Sequence, residues 1–458
     1  MARGKKGAQG MTPEEKLAQA LVPMEEQPYQ IPENWCWVRL LNVANLYNGD
    51  RGKNYPSKKD YQITGIPFIN AGALVDGQLE PKEFNYISEE KYNALSAGKI
   101  QCGDILYCLR GSLGKSAIVE IEGNGAISSS LCILRCTKAI DNRFLFFLLN
   151  SDIIKKQQDS AENGSAQPNL SAASVIKYMV PLPSILEQQR IVDRIESIFA
   201  KLDEAKEKAQ AVVDGFELRK SAILHKAFMG ELTAKWREEH GVTLDSWQHK
   251  KFSELCNIVR GGSPRPAGNP EFYDGSIPFM KVADITQNNS PFVSTTEYTI
   301  KEAGLKKTRM VDENTLLLTN SGATLGVPAI TKIRTTFNDG IAAFLNLKSE
   351  NLMFFYYFWT SKTLELRGIN KGAAQPNLNT NIIGNVEINL PTEAEQSQIV
   401  VELDRLINNE DQAKEAAESV LNQIDTMKKA VLARAFRGEL GTNDPAEESA
   451  VELLKSGL

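Results

Sequence analysis

Between Ser184 and Leu232 the chain reads SILEQQRIVDRIESIFAKLDEAKEKAQAVVDGFELRKSAILHKAFMGEL, and the reading of this stretch decides the fold. Pro183 stands just before it, no proline interrupts it, and Gly215 is its only glycine before Gly230. Ile191, Ile195, Ile198, Phe199, Leu202, Ala205, Ala209, Val212, Phe216, Ile223 and Phe228 keep mostly three- and four-residue steps, which draws one apolar stripe along a helix. Pro183 and Gly230 are the expected start and stop punctuation. At about 1.5 Å per residue the helix is a rod of roughly 65–70 Å. That exceeds one compact domain, so the stripe needs a partner of similar length.

The chain supplies the partner from Thr392 to Leu440, TEAEQSQIVVELDRLINNEDQAKEAAESVLNQIDTMKKAVLARAFRGEL. Glu187-Gln188 and Ile191-Val192 answer to Glu395-Gln396 and Ile399-Val400, and Gly230-Glu231-Leu232 to Gly438-Glu439-Leu440, always 208 residues on. The same offset holds for Gln167-Pro168-Asn169-Leu170 and Gln375-Pro376-Asn377-Leu378. One gapless register across several short identities marks an internal duplication.

The globular parts repeat as well, with drifting offsets. Short apolar runs such as IPFIN (66–70), DILYCL (104–109), SAIVEI (116–121) and LCILR (131–135) lie between Gly, Asn and Pro, as strands do, while Asn142–Gln157 is more helical. IPFMK (277–281) parallels IPFIN, and NSGATLG (320–326) parallels RGSLG (110–114). The expected architecture is mixed α/β: two globular α/β domains separated by two long antiparallel helices, related by a pseudo-two-fold axis. The expected segments are 1–30 (packing on the helical region, or mobile), 31–183 (first domain), 184–240 (central helix), 241–390 (second domain) and 391–458 (second helix and tail). Thr12-Pro13-Glu14-Glu15 opens a short helix, with Thr12 as cap and Leu17 and Leu21 as its apolar edge, and Pro445 through Leu454 reads in the same way.

Composition narrows the function. The chain has 458 residues, 42% apolar and 24% charged, and MARGKKGAQG is followed by no apolar run, so a cytoplasmic protein without a membrane span is expected. Cys36, Cys102, Cys108, Cys132, Cys136 and Cys256 form no CxxC pair and read as small hydrophobes; His225, His240 and His249 lack ligand spacing, so no metal is expected. No catalytic constellation emerges. Asn269-Pro270-Glu271-Phe272 is one residue away from the Asn-Pro-Pro-Phe/Tyr string that holds an adenine amino group, but no glycine-rich methyl-donor turn precedes it.

Binding remains. The net charge is −5, yet residues 31–160 and 246–370 together carry +4 and the rest −9, so an acidic chain presents neutral-to-basic globular domains. Polar-basic loops supply the candidate DNA contacts: Arg51, Lys53, Lys58, Lys59, Asn70, Arg110, Ser112 and Lys115 in the first half. In the second they are Arg260, Arg265, Lys281, Lys306, Lys307, Arg309, Asn320, Ser321 and Thr324. Such side chains neutralise phosphates and read base edges.

The combination of IPENW (31–35), IPFIN/IPFMK, GDILY (103–107), NSGATLG, GSAQPNLS/GAAQPNLN, PLPSILEQQRIV/NLPTEAEQSQIV and AFMGEL/AFRGEL resembles the specificity subunit of type I restriction-modification systems. The resemblance spans nearly the whole chain. It implies two target-recognition domains, each reading half of a split site in double-stranded DNA, on helices that dock two methyltransferase subunits and, through the complex, restriction subunits. It implies no catalysis or cofactor in this chain; S-adenosylmethionine, ATP and Mg belong to partner subunits. Phe228, Leu232, Phe436 and Leu440 are candidate docking residues, or fillers of the helix seam. The competing readings are a coiled-coil interaction scaffold and the DNA-binding subunit of a related type II (B-type) enzyme.

Overall fold

The structure, a computed structural model, describes residues 13–161, 169–347, 351–369 and 377–457. Thr12 and the Gln-Pro pairs at 167–168 and 375–376 lie outside the described residues.

The long stretches are helical. One runs Ile185–Asp214 and resumes as Phe216–Phe228; the other runs Glu393–Ala435 without a break. The Ser184 hydroxyl accepts from the Glu187 N–H (3.2 Å) and the Thr392 hydroxyl from that of Glu395 (3.4 Å), so both helices start on the same side-chain cap. They also stop alike. Gly230 (φ 77°) and Gly438 (φ 76°) turn left-handed, and the next N–H, of Glu231 or Glu439, reaches back 2.9 Å to the carbonyl of Lys226 or Arg434.

The uninterrupted first helix expected from the sequence carries a local irregularity at Gly215. The backbone ladder passes through it, since Gly215 donates to Ala211 (3.1 Å) and Arg219 donates to Gly215 (3.0 Å). The Val212 carbonyl instead takes Nη2 of Arg219 at 2.8 Å, while Nε of the same guanidinium grips Glu410 at 2.7 Å. A Cβ on residue 215 would lie 2.4 Å from Arg219 Nη1. Glycine is there so that the arginine can fold over its own helix.

The chain divides into two compact units, 1–208 with 420–458, and 209–419. Each unit thus takes part of both helices, whereas the expected segments keep the helices separate from the globular domains. The apolar stripe explains the difference. In the first unit Ile191, Val192, Ile195, Leu432 and Phe436 join the same buried core as Phe144, Leu145 and Leu148 of helix Asn142–Leu149. In the second, Ile399, Leu403, Ile407, Leu224 and Ala227 join Phe354, Phe355, Phe358 and Trp359 of helix Leu352–Ile369. Within each unit the helical segments are antiparallel. In the first, Asp203 pairs with Lys428 (2.5 Å) and Arg190 bonds the carbonyl of Thr442; in the second, Arg219 pairs with Glu410 and Arg237 with Glu395.

Both globular parts share a topology. The first strand, Cys36–Arg39 or Gln248–Lys251, pairs antiparallel with the last, Met179–Leu182 or Glu387–Leu390, so each domain leaves and returns at one ladder. Between them the first unit holds an antiparallel sheet in the order Ala44–Asn48, Leu131–Cys136, Ile105–Cys108, Ser116–Ile118. The second unit has the equivalent order Asn257–Arg260, Ile341–Leu345, Thr315–Thr319, Pro328–Thr331, with Phe292–Val293 added. A further sheet in each contains a parallel pair, Ile66–Ile69 with Ala126–Ile127, and Tyr273–Met280 with Thr335–Phe337. Helices Pro13–Ala20 and Ala450–Gly457 place Ala20, Ala450 and Leu454 in the first unit's core.

Candidate nucleic-acid interface

In each unit some of the sequence-selected polar residues meet at one tight turn that carries the chain from one sheet to the next. In the second unit it is Asn338-Asp339-Gly340, between strands Thr335–Phe337 and Ile341–Leu345. Its backbone is held on three sides: Asn338 N–H donates to Met280 (2.9 Å), the Gly340 carbonyl accepts from Asn320 (2.8 Å), and the Phe337 carbonyl accepts from Gly262 (3.1 Å). A Cβ on Gly261 would stand 2.2 Å from the Asn338 carbonyl oxygen, so only glycine lets the strand pass. In the first unit the equivalent turn is Ser128-Ser129-Ser130. Ser128 donates to Ile69 (2.8 Å), Ser130 accepts from Leu109 (2.8 Å), and a Cβ on Gly49 would stand 2.5 Å from the Ser128 carbonyl oxygen.

The candidates sort by what holds them. Arg260 Nε donates to the Asp339 carbonyl at 2.5 Å and its own carbonyl accepts from Arg309 Nε at 2.9 Å; Arg265 lies 3.6 Å from the Asp339 carboxylate. Lys281, just after Met280, sets its ammonium over the Tyr298 ring, 3.0 Å from the centroid. Lys306, Lys307 and Thr324 are exposed, Ser321 is half-buried, and Asn320 is fully buried with neither amide atom partnered among the described residues. In the first unit Arg51 reaches the Ser129 carbonyl (3.5 Å) and Arg110 the Asn169 amide oxygen (3.3 Å). Lys53, Lys58, Lys59, Ser112 and Lys115 are exposed, while Asn70 spends its amide oxygen capping a turn through Gly72 N–H (2.7 Å). Arg260 and Asn70 spend side-chain polar atoms on the frame, and Asn320 braces it through its backbone N–H. Asn269 caps its own turn through Glu271 N–H (2.9 Å).

The four residues considered for docking face inward. Phe436 is fully buried, 5.4 Å edge-on to Phe144, and Phe228 is half-buried against Phe354 (5.5 Å) and Phe358 (5.4 Å). Leu232 and Leu440 are half-buried against the same two cores. They fill neither a seam between helices alone nor an open surface; each joins a helix end to a globular domain. The helix residues left exposed are others: Leu186, Leu218, Met229, Val401, Val420 and Met427.

Two carboxylates that the sequence offers only as repeat identities turn out to be anchors. Glu187 accepts the Trp35 indole N–H at 2.8 Å, and Glu395 accepts that of Trp247 at 2.8 Å, each fixing the start of a globular domain to the start of a helix. A threonine hydroxyl also donates to each, Thr442 at 3.4 Å and Thr233 at 2.7 Å. Among the described residues only Glu395 of the two has a buried cation, Arg237 at 2.5 Å. Burial raises the pKa of Glu187, opposed by the Trp35 hydrogen bond and the nearby Arg190 charge. The 208-residue identity of the two glutamates, with a tryptophan ahead of each domain, was the available signal.

Cys36, Cys108 and Cys132 are buried as expected, but Cys102 is exposed. Burial pushes the Cys36, Cys136 and Cys256 thiols up to about 12, which keeps them protonated and unreactive. Among the described residues no His/Cys/Asp/Glu group could hold a metal, and no helix is long and apolar enough to cross a membrane.

Two domains of equivalent topology, each with an inter-sheet turn braced at matching backbone positions, define a duplicated recognition protein. Residues 32–213 and 245–422 both match the type I restriction modification DNA specificity domain, and the chain belongs to that family. Its role is DNA sequence specificity within a type I restriction-modification complex. It is 22% identical over 444 residues to the EcoKI specificity subunit of Escherichia coli K12, covering 91% of this chain and 92% of that one. It is 29% identical over 221 residues to the Escherichia coli EcoBI specificity subunit, covering 48% and 46%. The crystal structure of the HsdS subunit from Thermoanaerobacter tengcongensis shares the fold with a TM-score of 0.66 at 23% identity, over 91% of this chain and 100% of that one.

Proposed function

We propose that this chain reads a bipartite, asymmetric site in double-stranded DNA, one half with each unit, and seats two methyltransferase subunits and, through the complex, restriction subunits. Adenine methylation with S-adenosylmethionine and ATP- and Mg-dependent cleavage then belong to those partners, and this chain contributes recognition. The observation that carries the reading is that one backbone frame, used twice, presents different side chains, Ser128-Ser129-Ser130 in one unit and Asn338-Asp339-Gly340 in the other. Equal frames suit the repeating geometry of a duplex, and unequal tips suit two different half-sites. Partner docking falls to the exposed helix residues Leu186, Leu218, Met229, Val401, Val420 and Met427 rather than to the inward-facing phenylalanines.

The test is to purify the chain with its native methyltransferase subunits and map the adenines that the complex methylates. A split motif with two different halves supports the reading. Methyl transfer by the isolated chain, or a complex without sequence preference, refutes it. Co-purification also separates it from the type II (B-type) arrangement, in which cleavage and methylation activities travel together.

A further inference from the structure

The turn 338–340 holds acceptors where a phosphate-binding loop would hold donors. Asp339 holds a half-exposed carboxylate beside Arg265, while its backbone carbonyl takes Arg260 Nε and the Arg260 carbonyl in turn takes Arg309 Nε. Facing a polyanion, that charge opposes affinity. Its Oδ1 accepts from the Ser263 hydroxyl at 2.7 Å, but among the described residues Oδ2 has only Arg265 at 3.6 Å, an arginine whose side chain is 73% exposed and able to leave. Next to it, Asn338 Oδ1 is buried and has no hydrogen-bond partner among the described residues. Gly340 completes the tip without a side chain, and a Cβ there would stand 3.0 Å from Ser321 Oγ and 3.4 Å from Asn338 Nδ2. The backbone beneath is braced as in the first unit, so the difference from three serines is one of side chains alone.

Resting on the DNA-reading assignment above, we propose that Asp339, aided by Asn338, is a specificity-determining residue of the second unit that accepts a hydrogen bond from an exocyclic amino group on a base edge. Cytosine N4 and adenine N6 are the two amino groups of the major groove, and a carboxylate suits either. Arg265 shields the carboxylate until the base arrives and then turns to the backbone phosphate. The carboxylate excludes guanine O6 and thymine O4, which are acceptors like itself. The serines of the first unit, which both donate and accept, impose no such sign.

Methylation maps of the native complex carrying Asp339→Asn and, separately, Asp339→Ser decide the matter, since both variants are small changes at a half-exposed tip. Discrimination at one base pair should fall about fivefold or more, in the half-site read by the second unit. The other half-site should keep its motif, and the base lost tells cytosine from adenine. An unchanged motif with uniformly stronger binding would make Asp339 a mere counter-charge and overturn the proposal. Loss of methylation at every site by both variants would overturn it too. A wild-type complex with no motif at all would instead bring down the reading on which the proposal rests.

Discussion

Glu187→Gln and Glu395→Gln alter equivalent positions of the duplication, yet their effects should differ in size and sign. Glu395 is fully buried and pairs at 2.5 Å with Arg237, whose guanidinium also donates to the Gly230 carbonyl (2.6 Å) and the Thr233 hydroxyl (2.9 Å). Glutamine keeps an acceptor for Trp247 but leaves the arginine charge buried without its counter-ion. Breaking a buried pair from one side costs about 3 kcal/mol or more, which for a unit of this size lowers its melting transition by about 6–12 °C. Glu187 has no such cation, because Arg190 is drawn to Glu447 at 2.7 Å. Its carboxyl is held above the ordinary glutamate range by burial, so the protonated form is the one the fold prefers. A raised acid contributes stability that is full below its unfolded pKa and is lost as pH rises through the folded value. Glu187→Gln, which is neutral throughout, should therefore match the wild type near pH 4 and equal or exceed it at pH 7. Calorimetry of the full-length chain across that range gives the comparison. Equal losses from the two variants at pH 7, or a larger loss from Glu187→Gln, would refute the assignment of the buried pair as the difference between the units.

Further outcomes test other parts. Gly215→Ala gains helix propensity of about 1 kcal/mol, but only once Arg219 no longer crosses the site; the gain should appear with Arg219→Met and vanish without it, as a double-mutant cycle by urea unfolding will show. Phe436→Ala removes a fully buried ring and should cost about 3–5 kcal/mol, more than Phe228→Ala, whose ring is half-buried; unfolding midpoints rank them. Replacing exposed Lys306 and Lys307 together by alanine should make the salt dependence of DNA binding shallower, by up to about 2 in log–log slope, without altering the methylated motif. Four residues inserted after Ala209 add about one helical turn, 5.4 Å, and should widen the unread gap by about one or two base pairs.

The sequence by itself determined the duplication, the long helices and their stops, while their Ser184 and Thr392 caps are read from the structure. Those are local properties: Ser184, Thr392, Gly230 and Gly438 act through their own neighbours, and a period of 3.6 residues is visible in one dimension. The family too was legible, because the repeated strings carry it. What the helices bury was decided only in three dimensions. Phe228 and Phe436 look alike to the sequence whether they meet a partner protein, another helix or a domain core, and the structure sends both to the cores. The same holds for the polar loops. Charge could mark Arg260, Arg265 and Arg309 as candidates, but the meeting of Arg260 and Arg265 with Asp339, and of Arg309 with Arg260, joins residues as much as 79 apart in the chain. The reason is physical: an apolar or charged side chain advertises what kind of surroundings it needs, whereas which surroundings it receives depends on strands and helices brought together from distant segments.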